Sequence, residues 1–233
     1  MSLPEVHLVA GAGTEAVKLW PVAAAVRAAR VLDPVLLAAG SRPGAVTRAL
    51  TAFDARPDVT LPAATLTELM VRLATCWNQR PPAAVLVQGG GPAAVAAALT
   101  AAWRRIPLAH LSAGTRHDEL AAPDADDTGT RLIAQVAGCH LTAEPMAAMN
   151  LLDEGVPALS VLLTGDTGYD AALVMAGRRL PAAQVSTATP YSDGRAAQRA
   201  AQAVAALLGL AGRPAPMPVP SFPAAAGATP NGF

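Results

Sequence analysis

The sequence is poor in aromatic and charged residues. Only 3% of its 233 residues are Phe, Trp or Tyr, and 15% are charged. Its 17 basic and 17 acidic residues balance, so no excess charge points to nucleic acid or to an anionic membrane surface, and we expect neither as a partner. Because 52% of the residues are nevertheless hydrophobic, the core must be built mainly from small aliphatic side chains.

Cysteine is also scarce. The two cysteines, Cys76 and Cys139, lack the close spacing of metal ligands. We interpret both as reduced thiols of the core, and we expect no metal site, no redox chemistry and no cofactor.

The sequence lacks both a basic leader and a long apolar run. Its start, Met1 to Glu5, has no basic segment followed by a hydrophobic stretch. The longest apolar stretch, from Pro92 to Trp103, is shorter than the roughly 20 residues needed to span a bilayer. We therefore expect a soluble, cytoplasmic protein that does not associate with membranes.

What the sequence contains is an alternation of short apolar runs with longer segments of helical periodicity. This alternation is typical of βαβ units, and continuous apolar runs suit strands covered on both faces. The predicted strands are Val6–Ala10, Val35–Ala39, Val59–Leu61, Ala84–Gln88, Leu108–Ser112, Cys139–Ala143 and Ser160–Thr164. The predicted helices are Glu15–Ala29, Ala45–Phe53, Leu66–Trp77, Ala93–Arg104, Gly129–Ala137, Met146–Glu154, Tyr169–Ala176 and Gly194–Leu208. We predict an α/β fold with a Rossmann-like parallel sheet of about seven strands and helices on both faces.

The pattern divides the chain into a domain over 1–176, a linker over 177–193, a C-terminal helix over 194–210 and a tail over 211–233. Within the domain, Thr65-Leu66-Thr67-Glu68 has the pattern of a capping box and predicts a helix start. The tail alternates proline with small residues and has almost no charge. We predict that it is disordered, and that cutting the chain after Gly212 leaves the melting temperature nearly unchanged.

Two glycine-containing turns follow predicted strands and open predicted helices. The turn Gly11–Gly13 places backbone N–H groups and a positive helix end at the carboxyl edge of the sheet, where open α/β folds bind ligands. The turn Gly89–Gly91 offers similar donors, which makes Gly89 and Gly91 candidate anion-binding residues. The first turn could instead serve only to connect its strand and helix, and the three glycines of the second could instead mark a relaxed loop.

Short motifs along the chain carry a family resemblance. Gly11, Glu15-Ala16, Lys18 and Pro21 fit the pattern G-T-R-P-E-A-[IV]-K-x-x-P. The later segments that fit family patterns, in chain order, are Leu66–Glu68, Val85–Gly89, Arg105–His110, Ala113–Arg116, Leu163–Ala171 and Thr189–Ala197. Together they resemble the non-hydrolysing UDP-N-acetylglucosamine 2-epimerases. The resemblance implies one half of a GT-B-like epimerase fold, in which the linker replaces a second domain and the C-terminal helix packs on the first domain.

The resemblance also points to missing catalytic groups. In that family an Arg, an Asp, a Glu and an acidic loop are implicated in deprotonating C2 of the sugar, expelling UDP and adding it back. At the first three of these positions the sequence has Gly13, Gly90 and Ser112. Glycine has no proton to exchange, and a neutral Ser is a poor base unless another group activates it.

A few candidates for chemistry remain. Asp126 and Asp127, with Asp124, are weak candidates for the family's acidic loop, although Thr130 stands where that loop has an Arg. His117 is the histidine that we consider for catalysis, whereas His110 and His140 are interpreted as structural strand residues. A hydrolase triad of Ser112, His117 and Asp118 can be written, but no nucleophile elbow surrounds Ser112.

Lys18 and Arg116 match family positions and are predicted to clamp a phosphate or carboxylate at the edge of the sheet. In the alternative interpretation they pair on the surface with Glu15 and Asp118.

Two functions follow from this sequence. The preferred hypothesis is a catalytically inactive epimerase-like protein that acts as a binding or self-association module, with a UDP-sugar or another anion as a weak ligand. The alternative is an active UDP-GlcNAc/UDP-ManNAc 2-epimerase. Because the segment 93–104 is apolar all round, we also predict a homodimer through helices 66–77 and 93–104, with Ala97 or Ala101 facing outward.

Overall fold

The computed structural model describes residues 2–116, 125–179 and 191–218. These residues form a seven-stranded parallel sheet with the strand order β3-β2-β1-β4-β5-β6-β7. The strands are β1 (Glu5–Ala10), β2 (Asp33–Gly40), β3 (Val59–Pro62), β4 (Ala84–Gln88), β5 (Leu108–Leu111), β6 (Cys139–Thr142) and β7 (Val161–Leu163). The predicted Rossmann-like α/β fold is thus confirmed.

Helices cover both faces of the sheet. They are α1 (Gly13–Ala29), α2 (Pro43–Thr51), α3 (Leu66–Gln79), α4 (Pro92–Trp103), α5 (Ala125–Ala134), α6 (Pro145–Asp153), α7 (Thr167–Arg179) and α8 (Ala196–Leu207). On one face α1, α2 and α8 bury a core around Leu8 and Leu86, and α7 packs beside α1. On the other face α3 and α4 bury a core around Val9 and Val87.

The strand order changes direction at β1, which lies between β2 and β4. Val9 of β1 is paired with Leu37 of β2 on one side and with Val87 of β4 on the other. From β1 the chain crosses to β2 on one side, and from β4 it crosses to β5 on the other side. A crevice therefore opens beyond the carboxyl ends of β1 and β4. This topological switch point is where open α/β sheets place their ligands.

Helix α5 differs from its predicted bounds. It begins at Ala125 rather than Gly129 and ends at Ala134 rather than Ala137. Asp126 and Asp127, expected in a loop, lie in its first turn. Acidic side chains are favourable there because they interact with the positive end of the helix dipole. A short 3₁₀ turn at Ala158–Ser160, which was not predicted, leads into β7.

The capping pattern before α3 is confirmed in its first half. The Glu68 N–H group donates to Thr65 Oγ1 at 3.2 Å. The Glu68 carboxylate accepts from the N–H group of Ala64 at 2.9 Å, one residue before the expected partner.

Helix α4 corrects one premise of the predicted dimer. Ala97 and Ala101 are both fully buried within the single chain. The helix is apolar all round because it packs against the sheet, α3 and α5, so its own fold covers the face that was expected to need a partner. Its exposed apolar residue is Trp103, at the last helical position, with 74% of its surface accessible.

The C-terminal segment packs on the domain. Helix α8 buries Ala200 and Val204 against α1, and its Ala197 N–H group donates to Asp170 Oδ2 at 2.6 Å. The Asp170 carboxylate therefore caps the start of α8 from the neighbouring α7.

The tail prediction does not hold for its first residues. Residues 211–218 lie against the edge strand β7: Met217 is 3% exposed, and its N–H group donates to the Leu163 carbonyl at 2.8 Å. The Arg213 guanidinium donates to the Val161 carbonyl at 2.6 Å. Cutting after Gly212 would remove these contacts, so the expectation of an unchanged melting temperature loses its basis. Residues 219–233 and most of the predicted linker lie outside the described residues, and α7 continues past the predicted domain end at residue 176.

None of the helices in residues 2–116, 125–179 and 191–218 is long and apolar enough to cross a membrane.

Candidate functional site at the switch point

A cleft of about 490 Å³ lies beyond the carboxyl ends of β1 and β4. Residues of both predicted turns line it: Gly11 and Ala12 of the first turn, and Gly89, Gly90 and Gly91 of the second. The ionisable side chains that line it are Glu15, Lys18, Arg42 and Asp126. The cleft therefore combines backbone donors, two cations and two carboxyl groups at the position where this fold class binds ligands.

Glu15 is the most buried of these ionisable side chains in the cleft wall and was not among the predicted site residues. It is 8% exposed, and its Oε2 accepts the N–H groups of Gly11 at 2.6 Å and Ala12 at 3.3 Å. Burial raises the pKa of this carboxyl to about 7; the two hydrogen bonds oppose the shift and the charge of Asp126 adds to it. A cleft carboxyl that titrates near neutral pH is a candidate for proton exchange or ligand binding.

The turn at Gly90 is closed by helix α5. A Cβ atom on Gly90 would collide with the carbonyl oxygen of Asp126 and would lie 2.6 Å from Thr130 Oγ1. A Cβ atom on Gly129 would likewise collide with the Gly90 carbonyl and approach Val95 Cγ2 to 2.9 Å. The two glycines let the backbones of the turn and of α5 touch, and this contact leaves no room for a side chain at Gly90.

Gly13 and Ser112, the other two positions where the resemblance places family catalytic residues, differ from Gly90. A Cβ atom on Gly13 would be 3.4 Å from Ala45 O and Ala49 Cβ, so a small side chain fits there. Ser112 lines the cleft, and its backbone is in the left-handed region at φ 56°. Its hydroxyl accepts from Gln88 Nε2 at 3.3 Å. Non-glycine residues with this conformation are uncommon and often lie at functional sites.

The structure does not bring Lys18 and Arg116 together as a clamp. Lys18 lines the cleft, and its Nζ lies 3.3 Å from Asp166 Oδ1, so it pairs with Asp166 rather than with Glu15. Arg116 lies outside the cleft lining, with its side chain 7% exposed and its Nη2 2.5 Å from Glu154 Oε2. The ligand-binding role remains a prediction for Lys18, whereas Arg116 is held by Glu154.

Asp126 and Asp127 also separate. Asp126 lines the cleft, whereas Asp127 faces Arg131, whose Nε lies 3.1 Å from Asp127 Oδ2. Arg131 in turn lies 2.6 Å from Glu154, which joins Asp127 to the ion pair of Arg116. Of the two aspartates, Asp126 is the one that a ligand in the cleft could meet.

The described histidines are buried in the sheet. His110 is fully buried, its Nε2 lies 2.9 Å from the Gly89 carbonyl, and burial lowers its pKa to about 3. Burial also lowers the pKa of His7 and of His140. These residues are therefore neutral at physiological pH. His117, Asp118 and Asp124 lie outside the described residues.

In the part of the chain that the structure describes, no group of three or more His, Cys, Asp or Glu side chains is arranged to hold a metal ion. Burial raises the pKa of the Cys139 thiol to about 11 and also raises that of Cys76. Both thiols are thus protonated near neutral pH.

Comparison with known families agrees with the motifs and the fold. The model of the family described as UDP-N-acetylglucosamine 2-epimerase matches residues 48–184. The chain belongs to the UDP-N-acetylglucosamine 2-epimerase family. A probable UDP-N-acetylglucosamine 2-epimerase of Ralstonia solanacearum is 30% identical over 179 residues, which are 73% of this chain and 48% of that protein. The chain thus spans about half the length of the curated relatives that it matches.

Solved structures of this family share the fold. The structure of S. aureus MnaA with UDP is 26% identical, with a TM-score of 0.68, over 73% of this chain and 47% of the S. aureus chain. The Neisseria meningitidis UDP-GlcNAc 2-epimerase bound to UDP-GlcNAc is 26% identical, with a TM-score of 0.66, over 73% of this chain and 49% of the N. meningitidis chain.

The position of Glu15 makes a prediction about stability. Because its folded pKa of about 7 exceeds the ordinary value of 4.5, the folded state holds a proton that the unfolded chain releases. The stability of the wild type relative to Glu15→Gln should therefore fall by about 2–3 kcal/mol between about pH 5 and pH 8, and stay constant above. Chemical denaturation of both proteins across this range measures the difference.

Glu68→Gln is the matched control, since Glu68 occupies the same place relative to α3 but is exposed. Its pKa is lowered by the hydrogen bond from Ala64 and by Arg72, so its contribution changes only below the ordinary carboxyl range. A Glu15→Gln profile that parallels the Glu68→Gln profile would contradict the assignment.

Proposed function

We propose that this chain is an epimerase-fold module that binds a nucleotide sugar of the UDP-GlcNAc class and does not epimerise it. The observation that carries this proposal is the contact at Gly90. There α5 leaves no room for the Asp side chain that the family resemblance places at this position. A carboxylate within hydrogen-bond reach of C2 is what proton transfer there requires. The open positions Gly13 and Ser112 supply no such group.

Binding is supported by the groups that remain. The cleft at the switch point keeps the cations Lys18 and Arg42 and the turn Gly89–Gly91. Such groups suit the phosphates of a nucleotide, through charge and through backbone donors. The S. aureus structure contains UDP, and the Neisseria meningitidis structure is bound to UDP-GlcNAc. Because this chain spans about half of those proteins, we expect weak binding. A cytoplasmic location is part of the proposal.

A second candidate is an active UDP-GlcNAc 2-epimerase, and one observation favours it. The Glu15 carboxyl lines the cleft, and burial raises its pKa to about 7. A group with this pKa exchanges protons readily at neutral pH, as a general acid or base does.

Calorimetry and NMR in D₂O test the proposal together. Purified protein is titrated with UDP-GlcNAc and then incubated with it, and the C2 position is followed for deuterium and for the C2 epimer. We expect heat of binding, no deuterium at C2 and no epimer. Turnover that persists through repurification and disappears in Glu15→Gln would contradict inactivity and support the second candidate. Absence of any binding would contradict the binding function.

We also propose a homodimer through the layer of α3 and α4. The earlier premise of an outward Ala97 or Ala101 is replaced by exposed apolar side chains, Val71 on α3 at 62% and Trp103 on α4 at 74%. Large exposed aromatic side chains are enriched at interfaces, and a two-fold contact would bury the same patch on both copies.

Sedimentation of the Trp103→Glu variant tests this dimer. We expect the wild type to sediment as a dimer at micromolar concentration and the variant as a folded monomer. A dimer contact would bury the glutamate charge without a group of opposite charge beside it. Leu159→Glu is the control, since Leu159 is 86% exposed and lies before β7. A monomeric wild type, or a variant that remains dimeric, would refute this interface.

A further inference from the structure

The first turn is built as an anion cradle, and a protein carboxylate already fills it. The N–H groups of Gly11 and Ala12 converge on one atom, Glu15 Oε2, at 2.6 and 3.3 Å. We propose that the Glu15 carboxyl group is the built-in occupant of this cradle, and that the cleft accepts a phosphate-bearing ligand only away from the first turn. This inference rests in part on the proposed binding function.

The geometry of the turn explains why an anion belongs there. Ala12 precedes the 17-residue helix α1, and as an alanine it has no side-chain acceptor for the helix N-terminus. Free N–H groups and the positive end of the helix dipole favour a negative oxygen at this point. Glu15 supplies that oxygen from within the helix.

The cradle has no space for a second occupant. A methyl group on Gly91 would lie 2.7 Å from Glu15 Oε1, so the second turn approaches the carboxylate closely. A methyl group on Gly11 would collide with Ala93 of α4, which fixes the distance between the two turns. A phosphate could reach the donors of Gly11 and Ala12 only if the Glu15 side chain left.

The charges around Glu15 determine how tightly this cleft binds an anion. Lys18 lies one turn further along α1, and Arg42 precedes α2; both line the cleft, and Lys18 also pairs with Asp166. From α5, Asp126 faces Glu15 and raises its pKa. As Glu15 ionises, its charge adds to that of Asp126 and opposes the two cations. An anionic ligand should then bind more weakly.

In the described residues burial lowers the pKa of His7, His110 and His140, and any titration of these histidines is shared by the wild type and the Glu15 variants. The ligand charge is constant as well, if the probe is sulfate or UDP-GlcNAc, since neither gains a proton between pH 6 and pH 8. Any change in anion affinity over that range can therefore be compared directly between the wild type and Glu15 variants.

The experiment has two arms. In the first, the melting temperatures of the wild type, Glu15→Gln and Glu15→Ala are measured with sodium sulfate and with sodium chloride at equal ionic strength. Sulfate should raise the melting temperature of Glu15→Ala by about 3 °C or more beyond its effect on the other two, because only that variant empties the cradle. Glu15→Gln keeps an oxygen acceptor in place and should resemble the wild type.

In the second arm, UDP-GlcNAc is titrated by calorimetry into the wild type and Glu15→Gln at pH 6 and at pH 8. The wild-type dissociation constant should rise by up to roughly tenfold, which is the limit set by the fall in the protonated fraction of a group with a pKa of about 7. That of Glu15→Gln should stay constant.

The outcomes separate the two proposals. A Glu15→Ala protein without a specific sulfate effect, or one that stays unfolded at every sulfate concentration, overturns the cradle assignment. So does a UDP-GlcNAc affinity with the same pH dependence in the wild type and Glu15→Gln. If UDP-GlcNAc binds to neither protein while sulfate stabilises Glu15→Ala, the binding function fails and the cradle assignment stands.

Discussion

The backbone contact between the turn at Gly90 and helix α5 is the constraint on which this site depends. It exists because neither Gly90 nor Gly129 carries a side chain: a Cβ atom on either would collide with the other segment. Within α5 the Thr130 hydroxyl donates to the Asp126 carbonyl at 2.8 Å, beside the turn. Close packing of this kind tolerates no added methyl group without a shift of the backbone. The cleft that results is lined by backbone, by the cations Lys18 and Arg42 and by the carboxyl groups of Glu15 and Asp126.

Much of the fold could be predicted from the sequence. The segment Ala84–Gln88 was predicted at its observed bounds, because a continuous apolar run between glycine and proline signals suits a buried parallel strand. Helix α4 was identified correctly as a helix, but its surroundings were not. A helix that is apolar all round indicates burial without telling whether the same chain or a partner provides it, and here α3 and α5 provide it.

The site was harder to predict, since its pairings join distant residues. Arg116 pairs with Glu154, and Lys18 pairs with Asp166. No local sequence pattern predicts either pairing. Glu15 did carry a signal: an acidic residue in the first turn of a helix after a glycine turn. Its burial, which decides its protonation, depends on the tertiary position of Gly91 and therefore could not be inferred locally.

The claim that α5 closes the turn at Gly90 is tested most directly by comparing two glycine-to-alanine variants in equilibrium unfolding. Gly90→Ala should lose about 3 kcal/mol of stability, because the added Cβ would lie 2.6 Å from Thr130 N and must displace backbone. Gly13→Ala, in the other turn, should remain within about 1 kcal/mol of the wild type, because its Cβ would stay 3.4 Å from its neighbours. A Gly90→Ala protein as stable as Gly13→Ala would contradict the account, because the turn would then have room for a side chain.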